Sequence, residues 1–135
     1  MSIQKYSKYK REELEQYSNE VQLKFLLGVI NAKYMDHILA LLRGDDYHIY
    51  PEHVRNIPIP SATITQQENI IKIVDVIVDL KQQNPQADTS ELETQIDILV
   101  YLLYKLTYDE VKIIDPQIES IISESDYNKR LAENV

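Results

Sequence analysis

Three clusters in this 135-residue chain have residue types and spacings that could do chemistry. Asp45, Asp46, His48, Glu52 and His53 crowd one stretch, and carboxylates with imidazoles are the donor set of a divalent-metal site. No spacing rule fixes their geometry, and a polar loop after a helix end accounts for them, so no metal ligand is assigned. Glu110-Val111-Lys112 has the Glu-x-Lys form of magnesium-dependent nucleases. No upstream Pro-Asp stands at a suitable distance, and Glu110 lies three residues after Thr107, where a capping-box acid belongs. Lys5, Lys8, Lys10 and Arg11 interleave with Tyr6, Tyr9 and Tyr17, a combination able to hold phosphates and stack on bases. A solvated basic segment explains the same residues. The third histidine, His37, sits with Asp36 inside a helical pattern and is expected to edge a core. No catalytic residue and no cofactor follow from these residues.

Composition narrows the classes further. There is no cysteine, which excludes disulfides, thiolate zinc sites and cysteine nucleophiles. Two glycines (Gly28, Gly44) are too few for a phosphate or cofactor cradle and too few for a turn-rich β-sandwich. The net charge of −8 is uneven: residues 1–43 hold seven Lys/Arg against five Asp/Glu, and residues 44–135 hold seven against seventeen. An acidic body cannot wrap DNA over its whole surface, so any phosphate contact belongs to the N-terminal third. No apolar run reaches membrane-spanning length and no secretory signal is evident, so a cytoplasmic location is expected.

The elements that would position such groups are helices. Leu23, Leu27, Ile30, Tyr34, Ile38 and Leu41 form a stripe at helical spacing, widened by Leu26, Val29 and Leu42, and predict one uninterrupted helix over about 20–43 ending at Gly44. Asp45 to Ser61 is expected to be extended, with a very short strand around Tyr47–Tyr50 at most. Pro51, Pro58 and Pro60 fix φ, and Ile57 and Ile59 alternate with the prolines to face a helix surface. Thr65–Glu68, Ser90–Glu93 and Thr107–Glu110 each have capping-box form. They open helices over about 66–83 and 90–107 and a short segment to Ile114. Ile70, Ile73, Ile77 and Leu80 on the first, and Leu92, Ile96, Leu99, Leu103 and Leu106 on the second, are heptad-like seams expected to pack as an antiparallel hairpin. Asp115-Pro116 opens a last helix with Ile118, Ile121 and Ile122 on its apolar edge. The fold class is mainly α: a core helix, a long helical hairpin and a proline strip across them. The division expected is a basic segment over 1–19, a helical body over 20–123 and a polar tail over 124–135. Tyr34, Tyr101 and Tyr104 lie on apolar helices and read as packing residues. Leu26, Ile98 and Leu102 fall off the main stripes and suggest a surface for a partner.

Several of these runs resemble a known family. L-L-G-V-I-N-A-K-Y-M-D (Leu26–Asp36), N-I-P-I-P (Asn56–Pro60), Q-Q-E-N-I-I-K-I-V-D (Gln66–Asp75) and the stretch from Ala87 to Ile114 are similar, in order and spacing, to the specificity regions of DNA restriction–modification enzymes. The similarity is to the C-terminal part of fused adenine-specific methyltransferase–restriction enzymes and to type I specificity subunits, which share the Ile-Pro strip followed by a Gln/Glu-opened helix. It covers about residues 21–114. The family commonly has glycine where this chain has Lys105. Its members also carry an upstream methyltransferase domain and a longer recognition segment with strands, so the chain resembles a truncated or split relative. Adenine methylation uses an Asn/Asp-Pro-Pro-aromatic motif, and Asn84-Pro85-Gln86-Ala87 shares only its first two letters, at a point where a helix must stop.

The resemblance implies a non-catalytic module that spaces and orients DNA recognition against a catalytic partner. Expected partners are DNA, a methyltransferase or restriction subunit, and a second copy of the chain, with no membrane. Lys5, Lys8, Lys10, Arg11, Lys33 and Arg55 are the candidate phosphate contacts, which position without reading sequence. The competing expectation is a helical interaction or oligomerisation module that touches no nucleic acid.

Overall fold

A computed structural model describes residues 23–44, 56–58 and 60–133. These form helices α1 (Leu23–Ile30), α2 (Lys33–Arg43), α3 (Ile64–Gln83), α4 (Ser90–Leu103), α5 (Tyr108–Ile114), α6 (Ile118–Ile121) and α7 (Glu124–Glu133). The fold is all-α, with no strand among the described residues. The strand expected at Tyr47–Tyr50 lies outside them.

The uninterrupted first helix does not form. It breaks at Asn31-Ala32, and α1 and α2 are bent by 74°. Asn31 is a weak helix former that competes for backbone partners, and its Nδ2 donates to Leu27 O at 2.8 Å. Ala32 is extended (φ −74, ψ 155) and brings no side-chain cap of its own. The break redirects the apolar face. Leu23, Leu27, Ile30 and Leu41 of the expected stripe are exposed, while Phe25, Val29, Ala32, Met35 and Ile38 are buried.

On α3 the buried face is turned toward Val74. Ile70 and Val74 are buried, Ile73 and Ile77 are half-buried, and Leu80 of the expected seam is exposed. The cause is α1, whose contact with α3 is the most extensive between any two of the described helices. Gly28 lies at that crossing, where an added Cβ would stand 2.6 Å from Ile70 Cγ2 and 3.2 Å from Val74 Cγ2. The helix start also lies earlier than expected. Thr63, not Thr65, is the N-cap, in a full capping box with Gln66. The motif occurs in both registers, and the earlier one adds two helical residues.

Helix α4 is buried on two flanks. Ile96, Val100 and Leu103 join Phe25, Val29 and Ile70 in one core. Ile98, Tyr101 and Leu102 join Tyr108, Val111 and Tyr127 in a second. The off-stripe residues Ile98 and Leu102 are therefore internal, not a free partner surface, and Leu26 is half-buried. Of the remaining seam, Leu92 and Leu99 are half-buried and Leu106 belongs to the second core. In the proline strip, Ile57 packs on the first core and the Tyr104 hydroxyl donates to Pro58 O. Ile59 lies outside the described residues.

Helix α4 ends at Leu103, not near 107. Lys105 N donates to Leu102 O at 3.0 Å and Leu106 N to Tyr101 O at 3.1 Å, the paired bonds of a Schellman turn. Its left-handed residue is Lys105, at φ 57. Thr107 then restarts the chain as expected, with Glu110 closing the capping box of α5. At α4, by contrast, Thr89 takes the N-cap position in place of Ser90, and Asp88 accepts from Ser90 N at 3.0 Å.

The segment expected as a polar tail is a helix. Ser123 Oγ accepts from Asp126 N at 3.1 Å, and Tyr127 is fully buried with its hydroxyl donating to Leu106 O at 2.7 Å. Tyr127, with the half-buried Leu131 beside it, anchors a largely polar helix to the second core.

Two substitutions test this packing. Gly28→Ala forces Ile70 to move and costs about 1–2 kcal/mol net, after the roughly 1 kcal/mol that alanine gains over glycine in a helix. The loss shrinks in an Ile70→Leu background, which lacks the clashing branch methyl, in a double-mutant cycle by urea unfolding. Lys105→Gly relieves a left-handed lysine and stabilises by about 1 kcal/mol in the same assay.

Candidate functional site

Lys5, Lys8, Lys10, Arg11 and Arg55, and the Asp45–His53 metal candidates, lie outside the described residues. Among the described residues no group of three or more His, Asp or Glu is placed to hold a metal ion. Glu110 Oε1 accepts from Thr107 N at 2.9 Å, and that bond holds its carboxyl below the usual range. Lys112 pairs with Asp109 at 3.4 Å and Glu119 at 3.5 Å, and lies 5.7 Å from the centre of the Tyr108 ring. The Glu-x-Lys pair is thus taken up in helix capping and surface pairing. Asn84 caps the end of α3, and its Oδ1 accepts from Gln86 N at 3.1 Å in a turn. His37 and Asp36 are exposed, and His37 stacks on Tyr34 with ring centres 6.4 Å apart.

Lys33 is the one phosphate candidate with a described position, and it serves the interior. Its backbone N donates to Asp97 Oδ1 at 3.0 Å, so α2 receives its cap from a residue 64 positions away on α4. Its ammonium stands 3.5 Å from Asp115 Oδ1. Asp115 also accepts from the Tyr101 hydroxyl, at 3.2 Å. Two buried carboxylates share one half-exposed lysine, a backbone amide and one phenol. Burial, then the Lys33 amide pulling the other way and the neighbouring Asp115 and Glu93 charges, leave the Asp97 carboxyl above its ordinary pKa. Burial, and next the Asp115 charge, push the Tyr101 hydroxyl far upward, so it stays a donor.

Tyrosines seal the surroundings. Tyr34 meets Tyr104 edge-on at 4.7 Å between ring centres. Burial pushes both Tyr104 and Tyr127 up to about 12. Tyr108 donates to Ile122 O at 2.8 Å. The Tyr104, Tyr108 and Tyr127 hydroxyls donate to backbone carbonyls, and the Tyr34 ring is taken up by His37, Tyr101 and Tyr104.

Beside the Asp97 cap runs a groove of about 270 Å³ between α1, α3 and α4. Its apolar lining comes from Leu27, Gly28, Val74, Ile77, Val78 and Ile96. Its polar lining is Asn31, Glu93 and Asp97. The arrangement can hold a group and balance its charge. Among its lining residues there is no hydroxyl, thiol or amine nucleophile paired with a base. Reading the sequence missed Asp97 and Asp115. The available signal was an aspartate inside the apolar run Ile96–Val100, where a charge needs a buried partner.

No family model matches the chain, and no curated protein or solved structure is significantly similar to it.

The cap gives a pH-dependent outcome. Folded Asp97 holds its proton more tightly than unfolded Asp97. Its contribution to stability is therefore full below the ordinary aspartate pKa and is lost as pH rises through the elevated folded value. Asp97→Asn keeps an acceptor for the Lys33 amide without the charge. It should raise the unfolding midpoint at pH 7 and flatten the pH dependence above the ordinary aspartate pKa. Asp97→Ala removes the cap and should cost about 1–2 kcal/mol, measured by urea unfolding across pH.

Proposed function

We propose that this chain is a non-catalytic specificity or spacer module of a DNA restriction–modification system, working in the cytoplasm beside an adenine-specific methyltransferase or restriction subunit. The observation that carries the reading is the Tyr104–Thr107 step. The family that the chain resembles commonly has glycine at the Lys105 position, and the backbone there is left-handed, the conformation for which glycine is selected. The family's preference thus has a physical counterpart in this chain. Rigid helices sharing two cores suit a positional role. Among the described residues no single helix is long and apolar enough to cross a membrane.

In this reading phosphate contact falls to Lys5, Lys8, Lys10, Arg11 and Arg55, because Lys33 is committed to Asp115. Such contacts orient the module without reading bases. A second reading, a helical interaction module without DNA, draws on the exposed Leu23, Leu27 and Ile30, spaced four and three apart on α1.

Fluorescence anisotropy with a labelled duplex separates the two. Five phosphate contacts give a log–log salt slope of about −4.5, so affinity should fall roughly 500-fold between 50 and 200 mM salt. Replacing Lys5, Lys8, Lys10 and Arg11 with alanine should cut the slope to about −1. Absence of binding at 50 mM salt leaves the interaction module. Co-purification of the tagged chain with an adenine methyltransferase subunit from its host tests the assignment to a restriction–modification system.

A further inference from the structure

The groove between α1, α3 and α4 sets apolar walls beside the carboxylates of Glu93 and Asp97. We propose that it docks an amphipathic helix of a partner protein, with an aliphatic side chain seated on Gly28 and Val74 and a lysine one turn away facing Glu93 and Asp97. This goes beyond the spacer reading and does not require DNA contact.

Three observations define the occupant. The first is room. An apolar cavity of about 150 Å³ admits a benzene ring, and this groove offers about 270 Å³, space for two side chains and not for a compact domain. Gly28 lets α1 lie close on α3 along one wall, since a Cβ there would collide with Ile70. The second is the exposed rim. Leu23, Leu27 and Val78 are 55%, 49% and 40% exposed, and Leu27 and Val78 line the groove itself. A row of exposed aliphatic groups beside a groove is the receiving surface of helix-in-groove recognition.

The third is charge. Glu93 and Asp97 lie one turn apart on α4, and no cation is among the lining residues. The Lys33 ammonium, which also acts on Asp97 through its charge, stands 3.5 Å from Asp115. The groove also receives the C-terminal end of α1, through Gly28 and Asn31, where helix carbonyls carry partial negative charge. Two carboxylates and a negative helix end on apolar walls complement an alkyl chain ending in an ammonium. The lysine stem packs along the wall while its head meets the acids. An anionic helix would set like charge against Glu93 and Asp97, and an uncharged one would bring Asp97 nothing beyond the Lys33 contacts it already has.

The probe is a synthetic 14-residue leucine–lysine helix, with a leucine–glutamate helix of the same pattern as control. Each is titrated into the full chain at 150 mM NaCl and followed by amide NMR shifts. Shifts from the lysine peptide should centre on Gly28, Asn31, Val78 and Ile96, and the glutamate peptide should produce none there. Glu93→Gln with Asp97→Asn, which keeps the Lys33 cap, should weaken the lysine peptide about tenfold, and Val78→Arg should abolish its binding. Circular dichroism establishes that these variants fold. Equal affinity for both peptides, or shifts centred on the acids of α5–α7, would overturn the proposal. So would a concentration-dependent dimer in light scattering that blocks the groove. Hexylammonium saturating the groove as tightly as the peptide would also overturn it, since the site would then serve a free amine. A tenfold gain in peptide affinity when Lys5, Lys8, Lys10 and Arg11 become glutamate would make the chain's own N-terminal segment the occupant.

Discussion

Helix α4 has no solvent side over much of its length, and the rest of the molecule is arranged around that fact. Six apolar side chains within Ile96–Leu103 are buried, divided between two cores. Each is worth about 1.5–3 kcal/mol on removal from water. No single neighbour can cover both flanks of a helix. One flank draws in α1, α2 and α3, and the other draws in α5, α6 and α7. Tyr34 and Tyr104 touch both cores and join them along the edge.

Burial on that scale brings polar groups inside, and they are met by partners from distant elements. Asp97 stands amid the apolar residues of α4 and accepts from the Lys33 amide, which turns a possible cost into the cap that α2 lacks. Asp115 closes α5 and gathers the Lys33 ammonium and the Tyr101 hydroxyl. Removing a partner from such a network costs more than the pair contributes, because the remaining group stays dehydrated. The α1–α2 bend is set here, by a carboxylate 64 residues away, together with Asn31.

The same bend borders the groove between α1, α3 and α4. Turning α2 away from α1 leaves α1 free to lie on α3 at Gly28, with Leu23 and Leu27 at the solvent edge. The positional role proposed above needs both a stiff frame and a place to attach. The doubly buried α4 meets the first need, and the acidic, apolar-walled groove is suited to the second.

Local sequence was enough for the features that depend on a few neighbouring residues. The helical class, the stop at Asn84-Pro85 and the restart at Thr107–Glu110 follow from turn and capping chemistry that acts over three or four positions. The seams on α3 and α4 were legible only in part. Periodicity shows that a helix has an apolar face, but Ile73, Val74 and Ile77 are equally apolar, and α1 decided that Val74 goes inside. The break at Asn31, the internal place of Ile98 and Leu102, and the anchoring of α7 by Tyr127 were not legible at all. Each depends on a contact between residues far apart in the chain: Asp97 with Lys33, the second core with α4, and the Tyr127 hydroxyl with Leu106 O. The amino-acid order thus determined the stop at Asn84 and the restart at Thr107–Glu110, whose bonds are local, but not the α1–α2 break, where the cap on α2 comes from Asp97. Tertiary structure alone decided which faces are buried and where the groove opens, because burial depends on what arrives from elsewhere.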